Sequence, residues 1–531
     1  MNIMTLKKIA IIFICLFVFG CEGTQSQDPD VYADMEFYAE EESEHISTVL
    51  DRVRDAIGIT TTSPLDFSIE GETEFMGNAG HFTFAVNSDE NIWFTAIEGP
   101  IEYAFGHYSD DYIVKFMNGV TRKAGPNETS RSRLHGYVFS HMWLLEHAPF
   151  RWNLETNENS SHLLYYQLAD TYSRGVIHID RETYLPVKWV NHSWEGEEVF
   201  RFEGSFDDQS PWIPAYVEIT DNDGVTTQTK ITYRKTENQH ISDHFRSHFI
   251  QEKDFYFDTT REASLVLRRS WRGQPMVQAS VNNSDPVWFF LDSGAGISVL
   301  DNRLVQKLNM EEIGYMDLRG VGGPQNASFH RADQFSIGPL TIQDYLVSAL
   351  DLSFLDQIFD EPIAGIIGSG VFGRSVVEID VEKSRVAFYD SSEFKDDEFD
   401  WFPMIIDDGT PIVEGKLEGN KGFFMLDTGK GAGALAIHSQ AVADFKLLEN
   451  RQTRTDAISG VGGQMRVQRG IIDSFEIGPF AHHEVDASFL DETGGSFSNP
   501  YYIGTVGMRI LRDYRIIFDY KNKRISLIAA H

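Results

Sequence analysis

Six segments in the second half of this chain occur twice, in the same order. Residues 289–296 read FFLDSGAG and residues 424–431 read FMLDTGKG. Upstream, GQPMVQASV at 273–281 matches GTPIVEGKL at 409–417. Downstream, GVGG at 320–323 returns at 460–463, FSIGPL at 335–340 returns as FEIGPF at 475–480, and GIIG at 365–368 returns as GTVG at 504–507. The last pair is VVEIDVEKSRVAFY at 376–389 and RIIFDYKNKRISLI at 515–528. The offset is 136 residues at the first glycine, 135 at the two aspartates, and 139 or 140 thereafter. Only small loop insertions separate the copies, so this half of the chain is an internal duplication.

Each copy has a mechanical reading. An apolar strand ends on Asp-Ser/Thr-Gly, and a glycine-rich turn makes a mobile hairpin tip. A further strand reaches Ile-Ile-Gly or Thr-Val-Gly, a short helix follows, and a closing strand ends the copy. Alone, the acid-hydroxyl-glycine triplet is a weak signal. Repeated with its hairpin and its hydrophobic-hydrophobic-Gly element, it resembles the retropepsin-like aspartic proteases, the family of retroviral and related bacterial enzymes. The resemblance covers residues 262–391 and 400–531, expected as two β-barrel lobes of a pseudo-dimer within one chain.

What the resemblance implies is specific. Asp292 and Asp427 would face each other as the catalytic pair. Carboxylates roughly 3 Å apart share one proton, so one acts as base on a water while the other polarises the scissile carbonyl of a polypeptide substrate. No metal, cofactor or side-chain nucleophile is required. Ser293 and Thr428 would brace the two loops across the lobe interface, and Gly294 and Gly429 would leave room for backbone amides near the carboxylates. Gly322, Gly323, Gly462 and Gly463 would form flap tips that close over an extended peptide. Ile366–Gly368 and Thr505–Gly507 would pack beneath the catalytic loops, and Trp288, Phe289, Phe290, Phe423 and Phe424 are expected in the core. Two positions depart from the family pattern. Lys430 stands where a small residue is usual; a cation there either lowers the pKa of Asp427 or points away from it. Thr505 stands where a hydrophobic residue is usual. A module that binds peptides on this fold without cutting them is therefore the first alternative function.

Composition bounds the rest. A length of 531 residues implies two to four domains, and 42% hydrophobic with 13% aromatic residues supplies real cores. A formal net charge of −35 speaks against nucleic acid as a partner and for a solvated acidic surface. The N-terminus reads MNIMTLKK followed by IAIIFICLFVF and Gly20-Cys21, the layout of a secretory signal over residues 1–20. Its end resembles a bacterial lipobox, which implies lipidation of Cys21; a plain signal peptide cleaved elsewhere shares the layout. The only cysteines are Cys15 and Cys21, so loss of residues 1–20 leaves one cysteine, no internal disulfide, and a charge of −37. The expectation is an exported protein of the cell envelope, lipid-anchored to a bacterial membrane and monomeric, with residues 21–33 as a polar tether.

Between 34 and 250 an α+β domain is expected. Ile46, Val49, Leu50, Val53 and Ile57 form one helical stripe, with Gly58 as its stop. From about 65 to 235, short alternating segments separated by turn residues predict an antiparallel sheet, with one helical break near 133–147. The build is one helix on a curved sheet. IDRETYLPVKWV at 179–190 resembles a recurring turn of LolA/LolB-like lipoprotein-carrier half-barrels, and a lipid or lipoprotein carrier role centred here is the second alternative. His141 and His147 read as ordinary residues. GKGAG at 429–433 lacks phosphate-loop spacing, and His482-His483 with Glu484 reads as an exposed loop.

Overall fold

The computed structural model describes residues 40–530, except 63–64, 157–160, 222–225, 237–240, 252, 322, 358–361, 432, 462 and 491–495. The expected signal segment, the tether, Cys21, Gly322 and Gly462 lie outside the described residues. Among the described residues, no helix is long and apolar enough to cross a membrane.

Alternation of apolar and polar residues between 66 and 236 produces a thirteen-stranded antiparallel sheet. Its first strand, Asp66–Phe75, lies beside the central strand Thr226–Thr236 and pairs with it and with Asn78–Asn87. The first six strands step outward from that centre to Thr121–Lys123. The chain then crosses to the opposite edge at Phe150–Thr156 and steps back strand by strand. The crossing carries the helix Pro126–Ser140, whose Leu134, Val138 and Phe139 share one core with the sheet. The predicted stripe of the helix Glu40–Ile57 joins the same core, and Gly58 ends that helix in the left-handed conformation at φ +82°. A third helix, Ile241–His248, packs Ile241 and Phe245 against Phe94 and its neighbours in a separate cluster. Among the described residues three helices thus attend the sheet, where the sequence predicts the stripe at 46–57 and one helical break near 133–147. A cavity of about 20 Å³ remains between the sheet and the crossing helix, beside Trp143, Trp189 and Trp212. That is room for a water, not for an acyl chain.

The crossing helix begins seven residues before the predicted 133. Its first turn is polar and therefore shows no apolar period, yet Asn127, Glu128, Ser130 and Ser132 are buried. The cause is a partner far along the chain. Gly125 occupies the N-cap and has no side chain to offer. The N–H groups of Asn127 and Glu128 donate instead to Oδ2 and Oδ1 of Asp407, at 2.9 and 3.2 Å. Tyr502 donates its hydroxyl to the same carboxyl. Around this cap, Arg122 pairs with Glu128 at 2.6 Å, and Asn127 donates to Asp408 at 2.6 Å. Burial, then Asp408 and Glu128, push the Asp407 carboxyl up to about 8. Asp407→Ala is expected to cost roughly 2–3 kcal/mol in urea unfolding, a lost cap plus two orphaned amides. Since the folded state holds the Asp407 proton to higher pH than the unfolded chain does, wild-type stability relative to Asp407→Asn should fall as pH rises from about 4 to about 8.

The duplication is realised strand for strand. In the first lobe the path runs Pro275–Val281, Val287–Leu291, Gly365–Ile367, Val299–Asp301, Leu340–Leu350, Gly323–Ile337, Glu312–Gly320. In the second it runs Thr410–Leu417, Asn420–Leu426, Gly504–Val506, Leu435–Ile437, Phe480–Phe489, Gly463–Ile477, Arg454–Gly460. In each lobe the first strand also pairs with the sixth, closing the sheet on itself. The closing strands Val376–Asp380 and Tyr514–Asp519 pair with each other and centre a six-stranded sheet that joins the lobes. Buried Glu378 locks it, accepting from Arg515 of the other lobe at 2.8 Å and from Tyr389 at 3.0 Å.

Candidate active site

The strands Val287–Leu291 and Asn420–Leu426 each pair in parallel with the Ile-Ile-Gly or Thr-Val-Gly strand of their own lobe. The pairing continues one step into each loop. The Asp292 N–H donates to Ile367 O at 3.0 Å, and the Asp427 N–H to Val506 O at 2.9 Å. Each aspartate is thereby presented at the end of a rigid strand. Gly294 N–H donates to Asp292 Oδ1 and Lys430 N–H to Asp427 Oδ1, both at 2.8 Å.

Four reciprocal hydrogen bonds tie the loops together. Ser293 N–H donates to Thr428 Oγ1 at 2.9 Å, and Thr428 N–H to Ser293 Oγ at 3.1 Å. The Ser293 hydroxyl donates to Leu426 O and the Thr428 hydroxyl to Leu291 O, both at 2.8 Å. Both side chains are fully buried. The glycines that follow stand against the opposite carboxyl. A Cβ on Gly294 would lie 2.7 Å from Asp427 Cγ, and one on Gly429 would lie 2.3 Å from Asp292 Oδ2. Asp292 and Asp427 thus face each other between the lobes, each beside the opposite loop's glycine and partly open to solvent. Burial, then the charge of Asp427, raise the Asp292 carboxyl well above the ordinary range. Burial raises Asp427 too, while the Lys430 ammonium pulls it back down. These are the conditions under which a carboxyl pair keeps one proton.

Two hairpins cross above the catalytic loops, Glu312–Gly320 with Gly323–Ile337 and Arg454–Gly460 with Gly463–Ile477. Gly323 pairs with Gly320, and Gly463 pairs with Gly460 at φ +118°. The tips meet: a Cβ on Gly320 would lie 2.3 Å from Val461 O, and one on Gly460 would lie 2.7 Å from Val321 Cγ2. Val461 rests on a first-lobe patch that includes Phe290 and Ile366, and Val321 on a second-lobe patch that includes Met425. Of the aromatic residues expected in the core, Phe289, Phe290 and Phe424 are buried there, Phe290 in the cluster under the second tip. Trp288 and Phe423 are half-buried and pack against the clusters under the tips.

The first hairpin has an extra attachment. Tyr315 N–H donates to Met76 O at 3.2 Å, at the tip of the Asp66–Phe75/Asn78–Asn87 hairpin of the N-terminal sheet. Gly314 sits in a bulge at φ +154°, where a Cβ would lie 2.6 Å from Asn78 Nδ2 and 2.7 Å from Met76 O. Ile101 packs beside it on Ile297 and Phe329, and Arg331 donates to Pro100 O at 2.6 Å. Gly314→Ala is expected to detach the two hairpins. Amide exchange over 312–320 should then accelerate at least tenfold, with exchange over 454–460 unchanged.

Several contributors are invisible as motifs. Gln274, in the first repeated element, donates to Gly429 O at 2.7 Å and so supports the other lobe's loop. Thr505 is buried against His438 Nε2 at 3.0 Å, while His438 Nδ1 meets Asn499 O at 2.9 Å. Burial brings His438 down to about 4, so the ring is neutral: Nδ1–H donates to Asn499 and Nε2 accepts from Thr505. A polar pair thus replaces the hydrophobic residue expected at 505. His482 and His483 lie in the strand Phe480–Phe489, not in a loop. Alternation there turns His482 onto Phe475 and the Tyr514 hydroxyl, at 3.0 Å. Among the described residues, no group of three or more His, Cys, Asp or Glu side chains is placed to hold a metal ion. His141 is buried, its Nε2 at 2.8 Å from Trp212 O.

Two closed barrels of one connectivity, each delivering one aspartate to a shared pair beneath crossing hairpins, define the two-lobed aspartic-protease fold. Residues 277–371 and 413–508 each match the sequence model of the aspartyl protease family. No curated protein matches the chain. Among solved structures, a retropepsin-like aspartic protease from Rickettsia conorii is similar at 18% identity and TM-score 0.19, over 25% of this chain and 98% of that one. Basic 7S globulin from soybean is similar at 11% identity and TM-score 0.32, over 50% and 94%. A LolA superfamily protein from Nitrosomonas europaea is similar at 15% identity and TM-score 0.27, over 38% and 96%.

Proposed function

We propose that the C-terminal half is an aspartic endopeptidase that hydrolyses peptide bonds with a water activated between Asp292 and Asp427. The observation that carries this reading is the facing carboxyl pair, one from each lobe, held by the reciprocal Ser293–Thr428 brace. The ionised member takes a proton from water as the water oxygen bonds to the carbonyl carbon. The protonated member gives its proton to the carbonyl oxygen. In the second half-reaction the first member protonates the amide nitrogen, the second recovers a proton from the diol, and the C–N bond breaks. The pair ends with the single proton it began with. The crossing hairpins then serve as flaps over an extended polypeptide, and no cofactor enters the cycle.

Both aspartates come from one chain, so a monomer supplies the whole site. With the secretory layout of residues 1–20, we place the enzyme in the cell envelope, anchored to the membrane through lipidated Cys21. The peptide-binding alternative draws on Lys430 and on the polar His438–Thr505 pair, both in the second lobe. The carrier alternative draws on the N-terminal sheet, whose core is shared with the helices Glu40–Ile57 and Pro126–Ser140.

The test is incubation of a diverse peptide mixture with the mature chain from acid to neutral pH in ¹⁸O-water. Direct attack by water places one ¹⁸O atom in each new carboxyl terminus. Cleavage with that label supports the proposal, and a mixture left intact at every pH moves the peptide-binding alternative ahead.

A further inference from the structure

An extended chain held between the crossing hairpins and the aspartate pair leaves that cleft at two ends, and the duplication makes the two ends equivalent. One end is bounded by the loop after Asp292 and by the root of the first hairpin at Gly314 and Tyr315. The second lobe closes its outline with two segments. Asp408 stands against the first catalytic loop, where a Cβ on Gly296 would lie 2.5 Å from Asp408 O. Tyr501 packs against the patch that receives the tip residue Val321.

The N-terminal domain touches every part of this end. Asn118 donates to Ser369 Oγ at 3.0 Å, and Ser369 donates on to Gly296 O. Ile101 packs in one cluster with Ile297, and a Cβ on Gly77 would lie 2.5 Å from the Tyr315 ring. Asn127 and Arg131 donate to Asp408 at 2.6 and 3.4 Å. The Tyr172 ring meets that of Tyr501 edge-on at 5.0 Å, and its hydroxyl donates to Pro500 O at 3.4 Å.

At the other end the equivalent positions face solvent. Trp271 and Arg272 stand where the second lobe has Asp407 and Asp408, 136 residues on. The close approach to the catalytic loop is repeated there, since a Cβ on Gly431 would lie 2.8 Å from Arg272 Cβ. The cover is not repeated, and Trp271 is 71% exposed. Arg454 and Thr455, in place of Gly314 and Tyr315, are exposed, as is Pro362 in place of Tyr501. Ile471, in place of the Arg331 that bonds to Pro100, is 47% exposed.

We propose that the N-terminal domain walls off one end of the substrate cleft, so that the enzyme takes a polypeptide by a free terminus and cuts within a few residues of it. This rests on the reading of Asp292 and Asp427 as a peptide-hydrolysing pair and narrows it to bonds near a chain end. An extended chain advances about 3.3 Å per residue. A wall built against the catalytic loop itself leaves space for a few residues and none for a continuing chain. The open end holds a chain of any length.

Two measurements test the wall. In the first, a linear peptide that the mature chain cuts is compared with the same sequence closed head to tail, and with versions extended beyond either terminus. Closure, and extension beyond one terminus, should each slow cleavage of that bond about 100-fold, the loss expected when a reacting group is displaced by about an ångström. Extension beyond the other terminus should leave the rate unchanged. Equal tolerance of both extensions, or a closed peptide cut as fast as the linear one, overturns the proposal. The second measurement needs no turnover. Peptides carrying benzoylphenylalanine at one terminus or the other are photo-crosslinked to Asp292→Asn. The probe at the walled end should label residues 66–236, and the probe at the open end only residues 262–531. Labelling of the N-terminal domain from both termini, or from neither, overturns the proposal. One-sided labelling with no cleavage by wild type overturns the hydrolysis reading alone and leaves the one-ended cleft as a binding site.

Discussion

Asp292→Asn and Asp427→Asn are each expected to abolish peptide cleavage, lowering kcat/KM on the order of 10⁴-fold. The substitution keeps volume and one hydrogen-bonding oxygen but removes the group that exchanges the proton. Both single variants should be equally dead, and the double variant no worse, because the residues act as one unit. A protein in which only Asp292→Asn is inactive would show the first lobe working with another partner, such as a second copy of the chain. The same substitutions should raise stability. The folded state holds the Asp292 proton to higher pH than the unfolded chain, so wild type loses stability as pH rises above the ordinary carboxyl range. The gain from Asp292→Asn should therefore be larger at pH 7 than at pH 4, and thermal melts at the two pH values measure it.

Thr428→Val should be the most damaging change near the site that touches no catalytic carboxyl. The isosteric side chain leaves Leu291 O and Ser293 N–H without partners in the buried lobe interface. Orphaning two buried groups costs about 2–5 kcal/mol. Urea unfolding reads this as a lower midpoint. Ser293→Ala should cost a similar amount for the mirror-image reason, and the double variant less than the sum, because the two side chains share bonds. A cost below about 1 kcal/mol for Thr428→Val would mean that the brace does not hold the lobes. Activity should fall with the brace, since the two carboxyls keep their mutual distance only while both loops are locked.

The N-terminal sheet is more than an appendage in this arrangement. It reaches the first lobe through Met76, Pro100 and Ile101, and the second through the helix cap on Asp407. The first flap is tied to that sheet at Tyr315. Among the described residues, the second flap's interactions run to its own lobe, to the other tip and, through Val461, to the first-lobe patch with Phe290 and Ile366. Detaching either contact tests whether the domain steadies the protease half or only accompanies it.

The two-lobed architecture was legible because the duplication repeats what the backbone demands. Strands that end on an acid, glycines that stand against a carboxyl, and hairpins of matched length are local requirements, written wherever the fold needs them. The pairing of Ser293 with Thr428 was implied by the resemblance that the repeated triplets carry. Tertiary structure alone decided the rest. The start of the helix at Pro126 was hidden because its polar first turn is satisfied by Asp407, some 280 residues away. The exchange of a hydrophobic residue for Thr505 made sense only beside His438, which carries no motif. Lys430 has a stem long enough to turn either way. Its buried course depends on the space beside Gly507 and on the Arg469 and Asp486 charges near Gly433. Composition and period describe what a residue prefers near itself. A buried cap, a neutral histidine and a buried ammonium depend on what the fold brings within a few ångströms.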